Sequence, residues 1–229
     1  MMDDYSSGSE SDYTKYWVDW FLGTKGNEYF CEIDEEFIMD RFNLTGLNTE
    51  VAYYQYAIDL ITDSFDHECN DDIREQIERS ARHLYGLIHA RYILTQRGLQ
   101  KMLDKYKNSD FGKCPRVHCN LNPLLPVGLS DVPHSLPVKL FCMRCEDIYN
   151  PKSNRHASID GAYFGSSFPG VLFQVYPHLV PSKNDGERYV SAIFGFKVHD
   201  SARLARWQEG ARQDMLRRLE QLEKDEAAR

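Results

Sequence analysis

Four of the six cysteines fall into two short-spaced pairs, Cys114-Pro-Arg-Val-His-Cys119 and Cys142-Met-Arg-Cys145, with 22 residues between them. A Cys-x(2–4)-Cys turn points two thiolates at one centre. Two such turns close a tetrahedron around Zn²⁺, an ion with no geometric preference of its own to oppose that arrangement. Lys113, Arg116 and Arg144 lie beside these thiols and help hold them deprotonated. A dithiol redox centre needs only one pair, and a sulfur-ligated iron site uses the same four ligands. Catalytic zinc keeps an open position, whereas Cys114, Cys119, Cys142 and Cys145 saturate the ion, so the spacing predicts one structural Zn²⁺ per chain. His118 stands inside the first turn and is the alternative to Cys119, or else a surface imidazole. Cys31 and Cys69 have no partner at ligand spacing and read as free, partly buried thiols.

No other group of residues assembles a reactive site. Asp110-Phe111-Gly112 matches a metal-binding tripeptide of phosphotransferases but stands without a Gly-rich loop, a Val-Ala-Ile-Lys strand or a His-Arg-Asp loop. Its glycine suits entry into the first cysteine turn. There is no Walker loop, His-Glu-x-x-His or Gly-x-Ser-x-Gly. Asn43-Leu44-Thr45 fits a glycosylation sequon, without meaning in a cytosolic chain, and His83 and His89 read as packed or surface-paired. Ser7 and Ser9 each have an acid three positions on, Glu10 and Asp12, a pattern that an acid-directed kinase reads with basic pockets.

The elements that must position these residues follow from pattern and composition. The chain has 229 residues, 42% hydrophobic and 13% aromatic, enough for a core without disulfides. No apolar run approaches the roughly 18 residues of a membrane span. The acidic, polar MMDDYSSGSESDY is neither a secretory signal nor a transit peptide, so cytoplasm and nucleus are the expected compartments. A formal charge of −8 argues against direct nucleic-acid binding. Residues 111–150, with four Lys/Arg against three Asp/Glu, form no phosphate-binding stripe.

Residues 1–15 read as an acidic, Ser-rich disordered tail. Order is expected from the Tyr16–Phe21 aromatic cluster, with two short helices between Asp34 and Asp63. A polar, acidic interruption covers Thr62 to Asp72. A long helix follows, striped by Ile73, Ile77, Ala81, Leu84, Leu87 and Ile88 and running on through Leu94. Gly98 is expected to break it before a short helix carrying Leu99, Met102, Leu103 and Tyr106. Residues 161–198, where aromatics alternate with Gly and Pro, read as short strands and loops. From Ala202 an exposed helix with a seam of Leu204, Met215, Leu219 and Leu222 is expected. The apolar Leu124, Leu125, Val127 and Leu129, beside Pro115 and Val117, are too many for one small zinc module to bury. Packing on the helical part, a self-complementary patch in a two-fold dimer, and DNA binding are the three options.

The ordered series WVDWFLGTKGNEYFCEID, DRFNLTGLN, LYGLIHARYILTQRGLQKMLDKY, DFGKCPRVHC, LPVGLSDVP, VKLFCMRCEDIYNPKSNRH, DGAYFGSSFP and FGFKVH strongly resembles the regulatory (beta) subunits of casein kinase II over about residues 16 to 200. The resemblance implies a non-catalytic α+β protein. Residues 16–107 would form a helical domain with an acidic loop at 59–72. Residues 108–165 would be a zinc ribbon of short antiparallel strands that makes a homodimer, favouring Pro115, Val117, Leu124, Leu125 and Val127 as interface. Residues 166–200 would hold a hairpin docking two casein kinase II catalytic (alpha) subunits in a heterotetramer through Phe194 and Phe196, flanked by Ile193, Val198 and His199. Two aromatics around Gly195 on one face of a short strand suit hot-spot anchors.

It further implies that the subunit modulates and stabilises the kinase, recruits some substrates and blocks others, and is phosphorylated at Ser7 and Ser9. The family's acidic loop takes polyamines and basic substrates. Here it is diluted to Asp59, Asp63, Asp66, Glu68, Asp71 and Asp72 by Phe65, His67 and Cys69. Many members carry Tyr where this chain has Phe194, and the charged tail at 201–229 has no clear counterpart. A zinc-ribbon transcription or nucleic-acid factor is the alternative, disfavoured by charge.

Overall fold

The computed structural model describes residues 16–181, 192–199 and 201–227. Those up to 181 form one compact unit and those from 192 a second.

The first unit is α+β. It opens with α1 (Trp17–Gly23), α2 (Glu35–Met39), α3 (Leu47–Glu50) and α4 (Tyr54–Ile61), which pack around the long helix α5 (Asp71–Tyr92). Helix α5 starts at Asn70, whose side-chain oxygen accepts from the Ile73 amide at 2.9 Å, with Asp71 and Asp72 favourably placed in the first turn. Its apolar stripe is buried from Ile77 through Ala81, Leu84, Tyr85 and Ile88 to Tyr92, while Ile73 is exposed. Exposed Glu75–Arg79 and Glu78–Arg82 pairs line the opposite face. Trp17 and Phe21 of α1 stack at 5.2 Å and pack on Tyr85. The Tyr85 hydroxyl donates to the Cys31 carbonyl at 3.1 Å and accepts from the Ile33 amide at 3.2 Å.

Helix α6 (Gln96–Asn108) follows after only three residues. Gly98 is not a break but part of the first turn of α6, its amide donating to the Thr95 hydroxyl cap at 3.1 Å. A β-carbon at this position would lie 2.1 Å from the Tyr92 carbonyl oxygen. Glycine is what lets α6 turn back tightly against the end of α5, which itself stops at Tyr92 rather than at Leu94.

A three-stranded antiparallel sheet comes next: β1 (Leu125–Val127), β2 (Lys139–Cys142) and β3 (Asp147–Tyr149), with Leu125 opposite Phe141 and Cys142 opposite Asp147. The short α7 (Asn154–Ala157) and then α8 (Phe168–Val175) follow, α8 packing on β1. The expectation of strands and loops across 161–198 is therefore wrong for its first half. Residues 161–179 form two 3-10 turns flanking α8. Pro169 lies in the first turn, where proline opens a helix instead of breaking it, and Phe168, Leu172 and Phe173 turn inward. One core runs from α1 to α8, joining Tyr106 of α6 to Phe173 of α8 at 5.9 Å and including Leu124, Leu125, Val138 and Leu140 of the sheet region.

The second unit holds a hairpin, β4 (Ala192–Ile193) and β5 (Phe196–Lys197), and the helix α9 (Arg203–Ala227). Of the expected apolar seam Met215 is exposed, and Leu204, Leu219 and Leu222 lie outside the residues whose side chains are described. Among the described residues no helix is long and apolar enough to cross a membrane.

A candidate metal centre and two exposed surfaces

The first cysteine turn is built by a short chain reversal. Lys113 bridges Pro123, the Cys114 amide donates to the Asn122 carbonyl at 2.8 Å, and the Leu124 amide donates to the Gly112 carbonyl at 3.1 Å. Between them a 3-10 turn (Val117–Cys119) leads into Asn120 and Leu121, both left-handed. The second turn is the β2–β3 connection, with Cys142 ending β2 and Cys145 in the reversal.

The four sulfurs all lie within 4.8 Å of one another. Cys114 and Cys145 are 3.8 Å apart, Cys119 and Cys142 3.4 Å. These separations exclude disulfides, which need about 2.05 Å. Tetrahedral Zn–S bonds of about 2.3 Å place sulfurs about 3.8 Å apart, so the cluster fits a closed four-thiolate site. Burial pushes the Cys119 thiol up to about 11 and Cys142 in the same direction. Four thiolates gathered this closely need a cation to compensate their charge. The surroundings suit a centre of net negative charge. The Asn122 amide reaches Cys142 Sγ at 3.7 Å, the Tyr149 hydroxyl lies 3.1 Å from Cys145 Sγ, and Arg144 Nη1 donates to the Cys119 carbonyl at 3.5 Å. Arg144 Nε is buried without a hydrogen-bond partner among the described residues. Tyr149 and Asn122 carried no sequence signal, since only the fold brings them to the sulfurs. His118 lies outside the residues whose side chains are described.

Two expected sites lie differently in the fold. Leu124, Leu125 and Val127 are buried at 3%, 1% and 7% exposure in the chain's own core. Burial within the chain, with α8 and β2 packed on β1, matches the first of the three options above. Pro115 and Val117 are exposed, and Leu121, Leu129 and Val132 are exposed with them. The acidic segment is less a loop than expected. Asp59 is on α4, and Asp71 and Asp72 are on α5. Asp63 accepts from the Trp17 amide at 2.9 Å, while Asp66 and Glu68 are exposed. Phe65 and His67 cluster with Tyr56, ring centroids 5.1–6.3 Å apart, so the interspersed aromatics pin the segment.

The hairpin is a two-residue turn. Ala192 pairs with Lys197 and Ile193 with Phe196, leaving Phe194 (φ 50°) and Gly195 (φ 83°) as the corner residues. Both are left-handed, the backbone of a type I′ turn, and glycine removes the steric cost at one of them. Phe194 therefore stands at the tip rather than in a strand beside Phe196. Phe194 is 97% exposed, Phe196 80% and Ile193 63%; Val198 is half-buried and His199 exposed. So concentrated an apolar tip is a feature of surfaces that meet partners.

The remaining candidates have local explanations. Asp110 pairs with Lys105 at 3.5 Å, and Phe111 is buried against Tyr29. Cys31 and Cys69 are free thiols, but Cys31 is fully buried, with Sγ 3.5 Å from His89 Nε2. Ser7 and Ser9 lie outside the described residues.

Comparison with known proteins gives one consistent result. Residues 16–197 match the family described as casein kinase II regulatory subunit. The chain is 70% identical to casein kinase II subunit beta-2 of Neurospora crassa over 222 residues, 97% of this chain and 78% of that one. It is 61% identical to casein kinase II subunit beta of Schizosaccharomyces pombe over 94% of this chain and 93% of the relative. Against casein kinase II subunit beta' of Saccharomyces cerevisiae the identity is 53%, over 98% and 88%.

Proposed function

The chain belongs to the casein kinase II regulatory (beta) subunit family, and on that premise we propose that it is a non-catalytic, zinc-stabilised homodimer that carries two catalytic subunits, modulates and stabilises them, and recruits their substrates. The exposed tip of the β4–β5 hairpin carries this reading. Phe194, Phe196 and Ile193 present an apolar knob, framed by Val198 and His199, that nothing among the described residues covers. Desolvating two such rings in a pocket is the kind of contact that dominates an interface.

Zinc at the four cysteines would lock the two knuckles and so shape the surface bearing Pro115 and Val117, where the second copy would sit. The dimer gives each holoenzyme two docking tips. Basic substrates or polyamines would meet Asp66, Glu68 and the carboxylates around them, and Ser7 and Ser9 would be phosphorylated by the bound kinase. Six unpaired thiols suit a reducing compartment, cytoplasm and nucleus.

The test is functional. The purified chain alone should transfer no phosphate from ATP. Added to the catalytic subunit, it should lengthen that subunit's thermal half-life and change its relative rates on different protein substrates. Phosphoryl transfer by the chain itself, or no effect on the kinase, would overturn the reading.

A further inference from the structure

A cavity of about 400 Å³ opens between the end of α1, the middle of α5 and the segment around α7. Its floor is aromatic, made by Phe21, Phe30 and Tyr163, and its rim carries Lys25, Arg82 and Arg155 together with His134. In a chain with 35 acidic against 27 basic residues, this pocket reverses the overall sign. Lys25 and Arg155 make no ion pair among the described residues. Arg82 shares its guanidinium with Glu78, lies 5.2 Å from the Trp20 ring centre and stays half exposed.

Asp160 is the carboxylate that lines the pocket, and it is already engaged. One oxygen accepts from the His134 amide and the other from the Ala162 amide at 3.0 Å, and its side chain is 10% exposed. The same Asp160 holds His134 Nδ1 at 3.7 Å, while the His134 ring stacks on His83 at 4.7 Å. His83 in turn is hydrogen-bonded to the Tyr163 hydroxyl at 2.9 Å. The imidazole side of the pocket is thus held in place, and Lys25, Arg155 and the Glu78-paired Arg82, from three separate segments, line a pocket whose one carboxylate is already engaged.

We propose that this pocket binds an aromatic phosphate monoester, the phosphoryl oxygens on Arg82, Arg155 and Lys25 and the ring on the Phe21–Phe30–Tyr163 floor. Guanidinium forks match phosphoryl oxygens in geometry and charge. The volume falls within the range of roughly 300–1,000 Å³ usual for small-ligand sites. Such an ester is either a free small molecule or a phosphorylated tyrosine side chain, and the pocket chemistry is the same for both.

Calorimetric titration of the full, zinc-loaded chain tests this, with phenyl phosphate, a short phosphotyrosine peptide, inorganic phosphate and phenol as probes. Phenyl phosphate or the phosphopeptide should bind saturably and more tightly than inorganic phosphate, and phenol should not bind. The tighter of the two esters identifies the source. Arg82→Gln and Arg155→Gln should each weaken binding about tenfold, the loss of one charge-assisted contact, whereas Lys152→Gln, an exposed cation outside the pocket, should leave it unchanged. These side chains are exposed, so circular dichroism should show the variants folded. No saturable binding of either ester, equal affinity for inorganic phosphate, or affinity untouched by both arginine substitutions would overturn the proposal.

Discussion

Arg116 and Asp147 form an ion pair of 3.0 Å that ties the two cysteine turns to each other. Arg116 sits inside the first turn and Asp147 opens the strand leaving the second, where it lies opposite Cys142. The bridge spans the same gap that a metal ion would close. A Zn²⁺ ion held by the four thiolates would supply most of the energy, on the order of 10–16 kcal/mol for a structural site.

Removing one ligand should therefore cost the module more than local order. Cys142→Ser is expected to lose stoichiometric zinc by metal analysis and to sediment as a monomer. A zinc-free variant that remains a stable dimer would separate the metal from assembly.

The hairpin tip should act in partner binding alone. Phe196→Ala is expected to cost roughly 2 kcal/mol or more of affinity for the catalytic subunit, with zinc content and dimer mass unchanged. Calorimetry that returns the wild-type affinity would assign the ring another role.

Two neighbouring apolar positions should behave oppositely. Leu125→Ala removes a fully buried side chain and should destabilise the fold by about 2–5 kcal/mol in urea unfolding. Val117→Asp lies at 85% exposure and should leave unfolding nearly unchanged while driving the dimer apart in sedimentation. If Leu125→Ala weakens the dimer without weakening the fold, the core assignment fails.

The buried His89 predicts an acid sensitivity. Burial holds its pKa down at about 4; its Nδ1 donates to the Tyr163 carbonyl at 2.9 Å and Nε2 accepts from the Cys31 amide at 3.2 Å. The unfolded chain binds this proton near pH 6.5 and the folded chain only near 4. The neutral imidazole's contribution is thus complete above about pH 6.5 and is lost as pH falls toward 4. The urea midpoint should drop between pH 7 and pH 5, and His89→Gln should flatten that drop while lowering stability at pH 7. An equal drop in the variant would exclude His89 as its source.

Gly98 offers a reversal of the usual helix rule. Gly→Ala inside a helix ordinarily stabilises by up to about 1 kcal/mol. Here the added carbon would strike the Tyr92 carbonyl, so Gly98→Ala should destabilise the fold, measurable as a lower thermal midpoint. A raised midpoint would show that α6 can shift to accept it.

How much of this was legible in the sequence depended on range. The cysteine pairs were readable because ligand spacing within each turn is local, and the hairpin whose tip exposes Phe194 and Phe196 was expected only from the resemblance. Leu124, Leu125 and Val127 read as interface because the burial of their strand depends on β2 and α8, which follow later in sequence. Helix α8 was hidden by its own punctuation, since Pro169 and Gly170 in a first turn look like a loop until Phe168 and Leu172 are seen to face one core. Gly98 was misread for the same reason: a close approach between consecutive helices leaves only a glycine as its trace. The cationic pocket had no local signal, because Lys25, Arg82 and Arg155 meet only in the folded chain.

Native mass spectrometry of the complex with the catalytic subunit, before and after chelation, tests the central claim most directly. The account predicts two copies of this chain, two catalytic subunits and two zinc ions in one particle, which separates into species holding a single copy of this chain when the metal is removed. A metal-free complex of one chain with one kinase as the dominant species before chelation, or a four-subunit particle that survives complete loss of zinc, would contradict it.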